Sequence, residues 1–144
     1  MDLHRKSYLS EVPDGTILMV ANEFFDALPV HQFVSGDAGW RERMVDCDPD
    51  DPDRFRYVIA PNPTPATSYL SESSDVGEEV EISPMGLTIA LEVATRISKC
   101  RGAALIVDFS SKGAGFSLQA VREHQYHDPL VAPGEADLAC AVNF

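Results

Sequence analysis

The sequence predicts an α/β fold built on parallel strands, and three observations predict it. Thr16–Ala21 and Ala103–Asp108 are continuous apolar runs of strand length. Between them, Ser83–Lys99 carries apolar residues at helical spacing. Both strand runs finish on polar or acidic residues, Asn22-Glu23 and Asp108. Strand, crossover helix and second strand make a parallel unit. Runs with no polar alternation are expected to be covered on both faces.

The elements run in this order. Pro13-Asp14-Gly15 is a turn leading into the first strand, Thr16–Ala21. Asn22–Pro29 is expected as a turn or the start of a short helix, and Val30–Val34 as a short strand. Ser35–Gly39 is a turn. Trp40–Asp46 and Phe55–Ala60 pair as a hairpin around the acidic, proline-bearing loop Cys47–Arg54. Pro61–Val76, rich in Pro, Ser and Thr, is expected as an exposed excursion. Glu78–Ile82 is a short strand. Ser83 caps the helix, Pro84 takes its first position, and Leu87, Leu91, Ala94 and Ile97 form its expected inner stripe. Arg96, Lys99 and Arg101 favour the negative helix end, and Gly102 stops it. After Ala103–Asp108 comes a Gly/Ser loop over Ser110–Ser117. Leu118–Tyr126 is expected as a short helix or irregular segment, Pro129–Gly134 as turns, and Leu138–Phe144 as a strand. No internal repeat is present.

The chain has 144 residues, 44% of them hydrophobic and 24% charged, which suits one packed domain. No apolar run approaches the ~20 residues that span a bilayer, so a soluble chain without a membrane partner is expected. Met1–Lys6 lacks the apolar stretch of a signal peptide. The net charge of −12 argues against nucleic acid as a partner, because phosphate recognition needs a basic surface. The same charge suits a cationic substrate, or serves only solubility. Cys47, Cys100 and Cys140 are odd in number and far apart, which fits a reducing compartment.

Open parallel sheets bind ligands beyond the carboxyl ends of their strands. Asn22-Glu23-Phe24-Phe25-Asp26 is expected there. A carboxamide and two carboxylates can orient an N–H nucleophile, and carboxylates match a guanidinium in bidentate fashion. Aromatic faces favour cations. The alternative is equally open: Glu23 and Asp26 cap a helix while Phe24 and Phe25 fill the core. Gly113-Ala114-Gly115 follows a strand but lacks the third glycine of a dinucleotide fingerprint, so a loop is expected over a nicotinamide-binding turn. His124, His127 and Asp128 have a metal-like spacing without a third spaced donor. His127 and Asp128 are instead candidate substrate-side groups, with structural hydrogen bonding as the alternative.

Ala21–Phe33 (A-N-E-F-F-D-A-L-P-V-H-Q-F), Gly39–Val45, Gly102–Asp108 and His127–Phe144 resemble, in order, the MidA family, also called the complex I assembly factor 7 or DUF185 family. The resemblance implies a class I methyltransferase that uses S-adenosylmethionine, with a protein arginine as methyl acceptor. It implies a partial Rossmann-like methyltransferase sheet with an inserted β-hairpin excursion, residues 1–144 forming one partial domain. The family's glycine-rich cofactor loop lies upstream of N-E-F-F-D-A-L-P and is absent from this sequence, and the family's D-Y-G is here Asp108-Phe109-Ser110. The resemblance places Asn22, Glu23 and Asp26 near the reacting centre, Phe24 and Phe25 at the cofactor, and His127 and Asp128 on the substrate side. Leu118–Arg122 and Ala132–Leu138 read more like the bacterial branch, which favours a bacterial cytoplasm over a mitochondrial matrix. A non-catalytic product that only binds a partner is the alternative to a methyltransferase.

Overall fold

The computed structural model describes residues 4–71, 75–110 and 115–143. Ile17–Asn22 (β1) and Gly102–Val107 (β6) pair in parallel, with Asn22 opposite Val107. Between them run His31–Gly36 (β2), Gly39–Cys47 (β3), Phe55–Ile59 (β4), Glu79–Ile82 (β5) and the helix Pro84–Cys100 (α1). Strands β4-β3-β2-β5 form a second, antiparallel sheet. Gln119–Arg122 (β7), Gln125–His127 (β8) and Asp137–Ala139 (β9) form a third, in the order β8-β7-β9. The excursion is thus more than the expected hairpin, because β5 returns to pair with β2.

Ser83 Oγ accepts from the Gly86 amide at 3.1 Å, the expected cap. The inner stripe differs from expectation. Gly86 and Val93 are buried, whereas Leu87 and Leu91 are exposed. Apolar residues extend round more than one face of α1, so spacing alone does not select the packed face. At the C-terminal end, Arg101 takes φ 63° before Gly102 opens β6. Arg96 does more than meet the helix dipole. Its guanidinium donates to the Val12, Pro13 and Leu9 carbonyls, tying the N-terminal segment to α1.

The parallel strands are not covered on both faces. Leu18 is 83% and Val20 71% exposed, and Leu105 and Val107 are exposed beside them. Alternate residues point to opposite faces, so one face of the pair lies open while Ala21 is buried on the other. A uniformly apolar run is suited to two covering layers, and only one layer packs on it here.

Alternation also divides the antiparallel sheet. Phe33, Ser35, Trp40 and Glu42 share one buried face. The expected free excursion covers that face: Trp40 Nε1 donates to the Ser71 carbonyl at 3.0 Å and Thr64 Oγ1 to Glu42. Leu118–Tyr126 is neither helix nor irregular but a hairpin. Glu123 and His124, at φ 51° and 64°, make its two-residue turn. That left-handed pair lets β7 turn back on β8, which helical propensity does not reveal. The final strand is also shorter than expected, ending at Ala139. Cys47 is exposed, Cys100 partly buried and Cys140 buried, all three free.

Candidate functional site at the ends of the parallel strands

β1 and β6 deliver their last residues side by side. The Glu23 amide donates to the Val107 carbonyl at 2.8 Å, extending the pairing one step past Asn22. Glu23 then takes φ 45°, a left-handed backbone that turns the chain sharply off the sheet. Asp108 holds the turn in place. Its Oδ2 accepts from the backbone amides of Phe25 at 3.0 Å and Asp26 at 3.3 Å, and its Oδ1 from its neighbour Phe109 at 3.0 Å. Asn22–Asp26 is therefore a clamped turn and not the start of a helix; the first α-helical residue after it, among the described residues, is Pro84. The Leu28 amide closes the turn onto the Phe25 carbonyl at 3.2 Å.

The aromatic pair divides its work. Phe24 and Phe25 meet edge to face, ring centroids 5.3 Å apart. Phe24 is exposed, while Phe25 lines a cavity of about 390 Å³ with Glu81, Gly86, Leu87, Ile106 and Cys140. Asp26 Oδ1 is buried without a hydrogen-bond partner among the described residues. Burial pushes the Asp26 carboxyl above its ordinary range, and the Asp108 and Glu23 carboxylates push it further. The turn thus holds one carboxyl that gives up its proton reluctantly.

His127 and Asp128 have local partners. His127 Nε2 donates to the Val131 carbonyl at 3.0 Å, and Asp128 Oδ1 accepts from the Leu130 amide at 2.9 Å. These bonds close the turn after β8 and do not reach Asn22–Asp26. Of the candidate glycine loop, Gly113 and Ala114 lie outside the described residues.

Sequence reasoning put Asp108 at the ligand-binding edge of the strands without a catalytic or binding role, and assigned no site role to Glu81 or Cys140. Asp108 had a signal, since it ends the second apolar run. Glu81 and Cys140 had none, because the pairing of β5 with β2 and the course of residues 140–143 bring them in. The Cys140 amide donates to the Asp26 carbonyl at 2.9 Å, and the Val142 amide to the Phe109 carbonyl at 2.9 Å. Burial raises the Cys140 thiol to about 12, with help from the Glu81 and Asp26 charges.

Parallel strands joined through a crossover helix, with acid and carboxamide at their carboxyl ends beside an aromatic turn, define a Rossmann-like methyltransferase architecture. The chain belongs to the family described as S-adenosyl-L-methionine-dependent methyltransferases, which it matches over residues 3–144. It is 44% identical over 137 residues to a rat protein named protein arginine methyltransferase NDUFAF7, mitochondrial, covering 94% of this chain and 31% of the relative. The human protein of that name is 40% identical over the same length and the same shares. This chain spans about a third of the length of those relatives. Two crystal structures of superfamily members from Burkholderia thailandensis share the fold at 24% identity. One has a TM-score of 0.71 over 93% of this chain and 38% of its own. The other, bound to S-adenosyl-homocysteine, has a TM-score of 0.69 over 93% of this chain and 37% of its own.

Proposed function

We propose that this chain forms the acceptor side of a methyltransferase site that acts on arginine in a protein. The observation that carries the reading is the Asp108 clamp, which sets Asn22, Glu23 and Asp26 together at the ends of paired parallel strands. Residues 1–144 act as one part of a longer methyltransferase domain.

Asn22 and Glu23 accept hydrogen bonds from a guanidinium and aim one of its nitrogens, which is the positioning that in-line displacement requires. Asp26, with its raised affinity for a proton, takes up the proton that the alkylated nitrogen loses. Exposed Phe24 offers a face to a cationic group, and Phe25 closes the cavity wall behind it. S-adenosylmethionine, when bound, supplies the methyl group on a sulfonium. The aromatic faces and carboxylates fit that sulfonium end. His127 and Asp128 belong to the acceptor side, through the turn they shape.

The relatives' names carry the word mitochondrial, which supports a mitochondrial location over the bacterial cytoplasm; the matrix, and a role in respiratory complex I assembly, are part of the same proposal. No helix among the described residues is long and apolar enough to cross a membrane.

The open face of Leu18, Val20, Leu105 and Val107 favours a second reading, a non-catalytic chain that binds a partner there. Calorimetry with S-adenosyl-homocysteine and transfer of labelled methyl to an arginine peptide separate the two. Full-length protein that binds the cofactor product and labels the peptide supports the methyltransferase. Full-length protein that does neither overturns it in favour of the partner-binding chain.

A further inference from the structure

One hydrogen-bonded row crosses three strands of the antiparallel sheet. Arg43, Gln32 and Glu81 are direct cross-strand neighbours on β3, β2 and β5. Gln32 Oε1 accepts from Arg43 Nε at 2.9 Å and Nη2 at 2.7 Å, and its Nε2 donates to Glu81 Oε1 at 2.6 Å. From there the row leaves the sheet. Glu81 Oε1 also accepts from the Leu118 amide at 3.2 Å, while Oε2 accepts from the Ser117 amide at 2.8 Å and from Ser117 Oγ. Ser117 Oγ in turn accepts from the Ala141 amide at 2.9 Å. The next residue back, Cys140, is bonded through its amide to the Asp26 carbonyl. The circuit starts and ends in the same N-E-F-F-D-A-L-P-V-H-Q-F stretch, at Gln32 and at Asp26.

A second grip acts on the same segment. The Arg43 guanidinium lies 4.0 Å from the Tyr57 ring centroid and 3.8 Å from that of Phe116. Phe116, Ser117 and Leu118 are therefore held by two side chains of one sheet face, Arg43 and Glu81, which flank Gln32. Glu81 and Ala141 both line the cavity that Phe25 lines.

We propose that Glu81 is a positioning residue of the candidate site, holding residues 116–118 and, through Ser117, the segment 140–142 that walls the cavity beside the Asn22–Asp26 turn. The inference rests on the methyltransferase reading for its catalytic consequence. Its structural content stands on the circuit alone. Chemistry makes the carboxylate specific. Four donors converge on Glu81, and only an ionised carboxylate offers acceptors to all of them. A glutamine there turns an NH2 group towards at least one of those N–H groups, so Glu81→Gln breaks the circuit at almost constant volume.

The test uses full-length enzyme carrying Glu81→Gln, Ser117→Ala or Ser117→Thr. Cys140 reports the wall without reference to activity, through iodoacetamide labelling at mildly alkaline pH read on the Cys140 peptide by mass spectrometry. Glu81→Gln and Ser117→Ala speed that labelling by about tenfold or more, because the buried thiol is reached by local opening, and Ser117→Thr, which keeps the hydroxyl, restores the slow rate. KM for an arginine peptide rises by about fivefold or more, with affinity for S-adenosyl-homocysteine within about twofold of wild type. Unchanged Cys140 labelling overturns the proposal, and so does a parallel loss of peptide and cofactor-product affinity. Wild-type enzyme that transfers no methyl group overturns the functional reading instead, and the labelling still decides whether Glu81 holds the wall. Should Glu81→Gln fail to fold, the Ser117→Ala and Ser117→Thr pair decides in its place.

Discussion

Asp108 accepts hydrogen bonds through one oxygen from the backbone amides of both Phe25 and Asp26, 83 and 82 residues away in sequence. The first residue after β6 thereby shapes the turn after β1. Asp108→Ala leaves two part-buried amides without their charged acceptor. We expect a loss of about 2–4 kcal/mol in unfolding free energy, measured by urea denaturation, and a larger proportional loss of methyl transfer in full-length enzyme. Asp108→Asn keeps one oxygen acceptor and is expected to fall between wild type and alanine.

Asp26 gives a pH dependence of known sign. Its carboxyl is held above its ordinary value in the fold, by burial first and by Asp108 and Glu23 after that. The folded state binds this proton more tightly than the unfolded state. Its contribution is therefore most favourable in acid, and stability falls as pH rises from the ordinary carboxyl range through the raised value. Asp26→Asn removes that slope. The melting temperature of Asp26→Asn minus that of wild type is expected to be more positive at neutral pH than in acid, while methyl transfer is lost. An equal difference at both pH values would contradict the assignment.

Arg43 is stacked between Tyr57 and Phe116 and bonded to Gln32 by two of its nitrogens. Lysine keeps the charge but offers neither a planar face nor a fork. Arg43→Lys is expected to cost about 1–2 kcal/mol, read as a lower thermal midpoint. Hydrogen exchange is expected to accelerate at 116–118 before it does at β1 and β6.

Gly102 opens β6 at φ 143°, and a Cβ built there would lie 2.0 Å from the Ile17 carbonyl oxygen. The conflict is with backbone, so no side-chain rotation relieves it. Gly102→Ala is expected to cost about 3 kcal/mol or more and to part the first β1–β6 pair, Ile17 with Gly102. Circular dichroism melting and soluble yield measure it.

Much of the fold was legible in the chain itself. The apolar runs at Thr16–Ala21 and Ala103–Asp108 specified two parallel strands, because continuous apolar β-residues have few other uses. Ser83-Pro84 marked the helix start through local capping chemistry. The same local logic put Asn22–Pro29 at a strand end, as a turn or a helix start, and the resemblance of that stretch identified the family.

Tertiary structure decided the rest. The stripe of α1 that packs, through Gly86 and Val93 and not Leu87 and Leu91, depends on where the sheet lies and not on helical period. The hairpin of β7 and β8 depends on two left-handed residues, Glu123 and His124, that have no glycine to announce them. Above all, the sequence contained the acidic, aromatic turn but not its fastening. The Asp108 clamp and the side-chain bonds of the Glu81 circuit join residues between 24 and 83 positions apart in the chain. Such contacts have no local signature, because they exist only once strands from distant segments have paired.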